Sequence, residues 1–431
     1  MAIFSAGRSK ETAIHLAKNT GERPMVADGG LDVPEKFYRI DKFPGYTKIA
    51  LFRLAAEKLR IDDPYFICHE GVAGATTTVG GRSMLNFSSY NYLGLSGDSR
   101  VSAAVKAAID RYGTSLAAAP RVAGEVAVVR ELETAIAGLY GVDDAVTFAS
   151  GHATNVNTIG FLFGPKDLIV HDQLVHNSVI EGVRLSGATR RAFPHNDPAA
   201  LDRLLTEIRG NFERVLVVIE GLYSMDGDSP ALASFVEIKR RHRAFLMVDE
   251  AHSLGVLGSS GRGIHEHCGV PAGDVDIWMG TLSKSFAGCG GFIAGEQALV
   301  DLIRYAAPGY NASVGLAPAL AAASSAVIRI MLDEPWRLEQ LRAAGRYFLE
   351  QARLRGMNTG LSEGYCVVPL ITGSSLKAVS LSKKLARQGI SVQPIIHPAV
   401  EERLARLRFF ICYAHTQTQI DHTLDEIARC R

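Results

Sequence analysis

Short, uninterrupted apolar runs separated by helical patterns constrain the fold of this chain more than any other feature. From about residue 98 onward, five such runs occur, at 145–148, 168–170, 215–219, 245–248 and 277–279. Continuous rather than alternating apolar residues indicate strands buried on both faces, as in a mostly parallel sheet with helices between its strands. Helical patterns at 99–112 and 126–140 agree with this. The sequence therefore predicts an α/β fold, with ligands at the carboxyl ends of the strands.

The chain of 431 residues is long enough for a large domain and smaller ones beside it. We expect an N-terminal extension and arm over 1–97, a large domain over 98–308 and a smaller α+β domain over 309–431. The extension is predicted to hold a helix over 41–60 and short strands at 65–67 and 86–87, around the Gly80-Gly81 turn. The C-terminal part is predicted to contain helices near 316–332, 335–355 and 375–388, an apolar run at 367–370, a strand at 408–412 and a terminal helix.

Charge and cysteine content exclude several classes of protein. The 46 Lys and Arg residues nearly balance the 45 Asp and Glu residues, so the net charge of +1 gives no field that attracts nucleic acid or an anionic membrane. The six cysteines are scattered without a CxxC pair, which favours reduced thiols in a cytoplasmic protein over disulfides or a metal site. The most apolar long stretch, 313–332, carries Pro318 and Arg329 and is predicted to be a buried helix rather than a membrane span.

A single lysine in a loop of small and hydroxylated residues is the strongest chemical signal. Lys284 stands between Thr281, Ser283 and a glycine cluster, and Asp249 follows the apolar run 245–248. This combination suits pyridoxal phosphate (PLP). A lysine forms a Schiff base with the aldehyde, an aspartate keeps the pyridine nitrogen protonated, and hydroxyls hold the phosphate.

Three further candidates fall at or after predicted strand ends. Ser150, Gly151 and His152 follow a strand and open a helical pattern, where backbone N–H groups can hold a phosphate. His176 could stack on the cofactor ring, and His252, three residues after the aspartate, could contact the phenolate oxygen. The alternatives are an ordinary strand-to-helix turn and two structural histidines, and the residues alone leave these open.

Four segments, at 86–95, 220–228, 248–253 and 280–287, together resemble the α-oxoamine synthase family of PLP-dependent enzymes, and they occur in that family's order. The resemblance runs from about Tyr65 to the C-terminus. It implies a fold-type I PLP-dependent transferase and a homodimer with active sites at the subunit interface. It also implies decarboxylative condensation of a small amino acid (Gly, Ala or Ser) with an acyl thioester, giving an α-amino ketone and CO₂.

The resemblance also assigns roles to individual residues. Lys284 would be the Schiff-base lysine, Asp249 the partner of the pyridine nitrogen, His252 the phenolate contact and His176 the stacking histidine. The phosphate would be bound by Thr281, Ser283 and the turn of Ser150, Gly151 and His152, with Ser313 reaching the neighbouring subunit's phosphate. Arg408 would bind the amino-acid carboxylate, and Asn91 would lie near the substrate.

The sequence departs from the family pattern at three places. Residues 117–121 lack the usual Gly/Ser-rich run, Val129 replaces a common histidine, and His152 replaces a common Phe or Tyr. The amino acid and acyl chain are therefore not carried over. The N-terminal extension is similar to that of serine palmitoyltransferase-like members, which favours a long-chain acyl-CoA or an acyl carrier protein as donor.

Two other functions are compatible with parts of this pattern. Aldol cleavage or transamination would use the same Lys284 and Asp249, but the segment 220–228 and the strand of Arg408 favour the synthase. A non-catalytic partner subunit is the other alternative. The presence of both Lys284 and Asp249 argues against it.

Overall fold

The computed structural model describes residues 33–58 and 64–430. Strands in these ranges are β1 (Thr76–Val79), β2 (Arg82–Asn86), β3 (Asp144–Phe148), β4 (Leu168–Asp172), β5 (Thr189–Phe193), β6 (Val215–Glu220), β7 (Phe245–Asp249), β8 (Ile277–Thr281), β9 (Gly291–Gly295), β10 (Val367–Ile371), β11 (Ile390–Ser391), β12 (Pro394–Ile395) and β13 (Arg406–Phe410). The α-helices are Pro44–Lys58, Ser99–Tyr112, Pro120–Ala123, Ala127–Tyr140, Gly151–Leu162, Asn177–Ser186, Pro198–Ile208, Leu232–His242, Ile264–Cys268, Gln297–Ala306, Pro308–Asn311, Pro318–Asp333, Trp336–Leu354, Ser375–Arg387 and Gln417–Cys430.

A seven-stranded sheet in the order β3-β9-β8-β7-β6-β4-β5 forms the centre of the molecule. Neighbouring strands from β8 to β5 run parallel, and β9 is antiparallel to both β3 and β8. The predicted α/β class with a mostly parallel sheet is confirmed. In this register Glu220 pairs with Asp249, which brings two carboxylates to the same edge of the sheet.

Both faces of this sheet are covered, which explains the continuous apolar runs. Leu216 and Val218 of β6 belong to one buried cluster, and Val217 and Ile219 belong to the other, on the opposite face. Successive side chains of a strand point to opposite faces, so a strand covered on both sides needs an apolar residue at every position.

Two smaller sheets flank the large one. Strands β10, β13 and β12 form an antiparallel sheet, and β1, β2 and β11 form the other. In the latter, Ile390 pairs with Leu85, so a strand of the C-terminal part extends a hairpin near the N-terminus. Gly80 and Gly81 turn that hairpin with φ of +55° and +72°, which glycine adopts readily. The division at residues 97 and 308 stays a prediction.

Some predicted elements were wrong or displaced. Residues 65–67 form no strand, and Phe66 is 95% exposed, so this apolar run has no sheet to pack against in the described chain. The C-terminal strand begins at Arg406 rather than Arg408. Strand β5 was not predicted because it is an exposed edge strand containing Arg190 and Arg191. Strand β9 was not predicted because it begins and ends with glycine and has only three apolar residues between them. Within the described ranges, no helix combines the length and apolar character needed to cross a bilayer.

Candidate active site

Asp249 and Lys284 are brought together by two adjacent parallel strands. Asp249 is the last residue of β7, and Lys284 lies three residues beyond the end of β8. Burial of the Lys284 amine disfavours its charged form and lowers its pKa to about 8. The nearby carboxylates of Asp249 and Glu220 act in the opposite direction, but burial has the larger effect. A lysine amine with such a pKa is a nucleophile and a proton acceptor near neutral pH.

The Asp249 carboxylate is buried and oriented by two hydrogen bonds. Asn155 Nδ2 donates to Oδ2 at 2.8 Å, and the backbone N–H of Ala251 donates to Oδ1 at 3.0 Å. A carboxylate has about four lone-pair sites, so both oxygens keep the capacity to accept a further donor. The side chain is therefore fixed in place and remains able to hold a protonated ring nitrogen.

The start of the helix Gly151–Leu162 has the features of an anion cradle, as the sequence predicted. The Ser150 hydroxyl caps this helix by accepting from the Ala153 N–H at 3.4 Å. The first N–H groups of a helix have no intrahelical acceptor, so those of Gly151 and His152 are available to a phosphate. A Cβ atom on Gly151 would lie 2.7 Å from the Thr281 hydroxyl oxygen, so only glycine permits this approach.

The lysine loop, residues 281–290, packs against the turn at Gly151. The Thr281 hydroxyl donates to the Gly290 carbonyl at 3.0 Å, and the Gly290 N–H donates to the Ser283 hydroxyl at 3.3 Å. Both hydroxylated residues predicted to bind phosphate are thus on one turn. Thr281 is directly beside Gly151.

His176 is tied to the same network. Its backbone N–H donates to Glu220 Oε1 at 2.6 Å, and its Nδ1 accepts from the Ser178 N–H. The Ser178 hydroxyl in turn accepts from Asn155 Nδ2 at 2.9 Å. Burial lowers the pKa of His176, which favours a neutral ring able to stack on an aromatic cofactor. His152 lies edge-on to it, with ring centroids 6.3 Å apart.

His252 is buried between aromatic rings. Its Nδ1 lies 2.8 Å from the Tyr92 hydroxyl, and its ring is parallel to that of Phe410. Burial, followed by the charges of Lys284 and Arg408, holds the pKa of His252 well below its usual value, so the ring is neutral. With Nδ1 engaged, Nε2 is the nitrogen left to contact a ligand.

Arg408 and Arg406 differ in how fully their guanidinium groups are engaged. Arg406 pairs with Asp226 at 2.7 Å and donates to the Met225 and Leu404 carbonyls. Arg408 donates from Nη1 to the Ser224 carbonyl at 2.9 Å, but its Nε is buried without a partner. Arg408 also lies close enough to lower the pKa of the Lys284 amine. The free donor is therefore on the arginine that faces the lysine.

A cavity of about 320 Å³ opens beside Lys284. Its walls are the lysine loop and residues near the N-terminal hairpin: His69, Ala73, Asn86, Ser88, Ser89, Tyr90, Asn91, Ser96, Ser283, Lys284, Ala287 and Gly288. Asn91 lines this cavity, but its amide is used by its own loop, since it donates to the Ser96 hydroxyl and accepts from the Ser96 N–H. Ser313 is exposed and is not part of the cavity wall.

Four side chains of this site were not assigned roles from the sequence. They are Asn155, Glu220, Tyr90 and Tyr92. Tyr90 places its ring 5.5 Å from Lys284 Nζ. Both tyrosines lie in the segment 86–95 and the glutamate lies in the segment 220–228, which carry the family resemblance. The sequence therefore shows these residue types but not their contacts with Lys284 and the histidines. Asn155 carried no signal beyond its position one turn after Gly151.

Comparisons with known proteins identify the family of this chain. The family model "Aminotransferase class I and II" matches residues 82–427. Among curated relatives, 8-amino-7-oxononanoate synthase of Symbiobacterium thermophilum is 38% identical over 351 residues, 81% of this chain and 89% of that protein. Serine palmitoyltransferase of Bacteroides ovatus is 34% identical over 366 residues, 85% of this chain and 92% of that protein.

Solved structures give the same result. Serine palmitoyltransferase of Sphingomonas wittichii superposes with a TM-score of 0.86 at 29% identity, covering 90% of this chain and 97% of that one. A high-resolution structure of SPT with PLP gives a TM-score of 0.85 at 28% identity, covering 91% of this chain and 98% of that one. The fold is that of the fold-type I PLP-dependent transferases. The chain belongs to the class I and II aminotransferase family and, within it, to the α-oxoamine synthases.

Proposed function

We propose that this protein is a PLP-dependent acyltransferase that condenses a small amino acid with an acyl thioester. The acyl group is transferred to the amino-acid α-carbon, the carboxyl group leaves as CO₂, and the thiol is released, which gives an α-amino ketone. The observation that carries this proposal is the placement of Arg408, with its unpartnered Nε, beside the Lys284 amine. A cation at this position suits a substrate that keeps a carboxylate on the reacting carbon.

The residues present fit PLP. The close approach at Gly151, the unpartnered Arg408 Nε and the oriented Asp249 carboxylate are features that a phosphate, a substrate carboxylate and a pyridinium would satisfy. Ser150, Gly151, His152, Thr281 and Ser283 would hold the phosphate, with His176 on the ring face and His252 at the phenolate oxygen. When bound, PLP supplies an electron sink for the pair left behind when a bond to the α-carbon breaks.

The side chains of this site supply orientation and proton transfer. Asp249 holds a proton on the ring nitrogen through a charge-assisted hydrogen bond. Lys284, whose pKa is about 8, accepts the α-proton in its neutral form and can return it as an acid. Arg408 would anchor the carboxylate through its unpartnered Nε–H, in a charge-assisted hydrogen bond that fixes the direction of the bond that is broken.

The partners of the reaction are also proposed. We infer that the amino acid is glycine, alanine or serine and that the donor is an acyl-CoA or an acyl carrier protein. A homodimer is supported by the exposed apolar side chains of Phe37, Ile40 and Leu51, and by the exposure of Ser313, which would reach the other subunit's phosphate. A cytoplasmic location is supported by the six free cysteines.

Product analysis tests the reaction. The purified holoprotein is incubated with glycine, alanine or serine and with short- or long-chain acyl-CoA, or with an acylated carrier protein. Thiol and CO₂ should appear in equal amounts, and a Lys284→Ala control should give neither. Turnover with the carrier protein alone would keep the chemistry and assign the donor. Consumption of amino acid without thiol release from either donor would defeat the proposal, because aldol cleavage and transamination release no thiol.

A further inference from the structure

A buried histidine is clamped between two aspartates outside the cofactor site. His195 Nδ1 donates to Asp172 Oδ1 at 3.0 Å, and His195 Nε2 donates to Asp228 Oδ2 at 2.8 Å. The His195 side chain is only 8% exposed. Burial opposes its charge, but the two carboxylates raise its pKa to about 10. Both ring nitrogens therefore carry protons, and the histidine is a cation between two acids.

The neighbouring residue reinforces this bridge. Asn196 donates from its backbone N–H to Asp172 and from Nδ2 to Asp228, at 2.8 and 2.7 Å. Its φ of +50° lies in the left-handed region, where a residue with a side chain is strained unless its surroundings hold it. The Tyr223 ring lies edge-on to His195 at 4.4 Å, and burial raises the pKa of its hydroxyl, so it stays neutral.

The bridge ends on the loop that supports the substrate-binding arginine. Asp228 closes the loop 223–228, in which the Tyr223 N–H donates to the Asp228 carbonyl at 2.9 Å. The same loop presents the Ser224 carbonyl to Arg408. On β10, the Val367 carbonyl oxygen would lie 2.1 Å from a Cβ atom on Gly227, so the loop packs closely against that strand.

We propose that His195, as a cation between Asp172 and Asp228, is a positioning residue that sets the loop 223–228 and thereby orients Arg408 toward the amino-acid carboxylate. The carboxylate end of the site would then depend on a group that touches neither substrate nor cofactor. This inference rests on the proposed role of Arg408.

Substrate affinities of the holoprotein test the inference. His195→Gln keeps a polar side chain but cannot donate to both aspartates as a cation. It should weaken binding of the amino acid about tenfold, within the range of coupling between neighbouring residues, while the KM for the acyl donor stays unchanged. His242→Gln is the matched control, because His242 also pairs with one aspartate, Asp202 at 2.7 Å, near the start of β7 and at the opposite end of that strand from Asp249. This control should bind the amino acid as the wild type does.

The pH profile separates positioning from a structural lesion. Groups that titrate in both proteins cancel in the ratio of amino-acid affinities between wild type and His195→Gln. That ratio should be constant up to about pH 9 and should fall toward one as His195 loses its proton through about pH 10. A structural lesion would leave the ratio flat. Nitrogen-15 NMR of the holoprotein should show protons on both ring nitrogens of His195 at pH 8, and a ring with one proton would overturn the cationic bridge.

A second variant covers the case in which His195→Gln fails to fold. Asp228→Asn removes one of the two charges that raise the pKa of His195, so amino-acid affinity should begin to fall at lower pH than in the wild type. Arg408→Gln distinguishes the carboxylate-binding role of Arg408 from the positioning role of His195. If Arg408→Gln weakens amino-acid binding but His195→Gln and Asp228→Asn do not, the positioning role is overturned and the proposed function survives. If Arg408→Gln has no effect, the carboxylate assignment fails and the inference fails with it.

Discussion

Asn155 Nδ2 donates to Asp249 Oδ2 at 2.8 Å, although 94 residues separate them in the chain. The same amide group also contacts the Ser178 hydroxyl, next to His176. Asn155 lies four residues after Gly151, so both are on one face of the helix Gly151–Leu162. One helix therefore carries the proposed phosphate cradle at its first turn and orients the aspartate one turn later, which would fix the distance between the two ends of the proposed cofactor site.

Asp249→Asn tests the electrostatic role of the aspartate. A neutral amide has nearly the same shape but cannot hold a proton on the ring nitrogen, so turnover should fall at least about 100-fold, as when a charge-stabilising group is removed elsewhere. The fold should persist, as judged by circular dichroism and the melting temperature. Asp301→Asn is the control, because Asp301 is exposed and accepts a hydrogen bond only from the neighbouring Gln297 side chain among the contacts described. Near-normal turnover in Asp249→Asn would count decisively against the assignment.

Arg408→Ala and Arg406→Ala should give different defects. A charge-assisted hydrogen bond contributes roughly 1.5–3 kcal/mol, so Arg408→Ala should raise the amino-acid dissociation constant about 10- to 150-fold while PLP stays bound. Arg406→Ala leaves the carboxylate of Asp226 without its cation. Breaking a buried pair costs about 3–5 kcal/mol, so this variant should mainly melt at lower temperature.

Titration of each holoprotein with glycine, alanine and serine, together with thermal melts, distinguishes these outcomes. A large rise in the amino-acid dissociation constant for Arg406→Ala alone would mean that the carboxylate site is on Arg406, two residues along the strand.

The sequence predicted the part of the site that follows from strand order. Asp249 and Lys284 each follow an apolar run, and in a parallel sheet the carboxyl ends of neighbouring strands lie side by side. Local patterns sufficed here because each residue is placed by its own strand. The predicted strand at 65–67 was wrong, because within the described residues this segment joins none of the sheets and Phe66 is 95% exposed.

Contacts between distant segments could not be predicted. Tyr92 reaches His252 across 160 residues, and His195 bridges Asp172, at the end of β4, and Asp228, in the loop 223–228. Residue types alone do not predict these contacts. The contacts depend on the conformations of the loop 86–96 and the segment 194–197, which bring residues distant in the chain together. The family resemblance assigns the carboxylate to Arg408 rather than Arg406, and the physical difference between the two, the unpartnered Nε of Arg408, depends on the folded structure.

Gly151→Ala tests the phosphate cradle. The new methyl group would stand 2.7 Å from the Thr281 hydroxyl oxygen and 3.2 Å from its Cβ, so either the turn or the helix start must move. Overpacking of this kind costs about 1–3 kcal/mol, and PLP affinity should fall about 5- to 150-fold. Gly138→Ala is the matched control, because nothing lies within 4 Å of a Cβ at that helical glycine. Equal PLP dissociation constants for the two variants would contradict the assignment of phosphate binding to the Gly151 turn.

The Lys284 amine should titrate well below an ordinary lysine in the apoprotein. Burial disfavours the charged form and lowers the pKa from 10.5 to about 8, so the neutral, reactive amine accumulates at lower pH. Labelling with trinitrobenzenesulfonate at a series of pH values, followed by peptide mapping, should give a midpoint near pH 8 for the peptide that contains Lys284. An ordinary solvated lysine amine has a pKa of about 10.4, which is the reference for this midpoint.

Asp249→Asn gives this measurement an internal check on its sign. The Asp249 carboxylate stabilises the protonated amine and so raises the pKa of Lys284 against the effect of burial. Removing that negative charge should move the labelling midpoint of Lys284 further down, whereas removal of a cation would move it up. A midpoint for wild-type Lys284 that coincides with this reference would show that the amine is solvated. An unchanged midpoint in Asp249→Asn would show that the two side chains do not share one site.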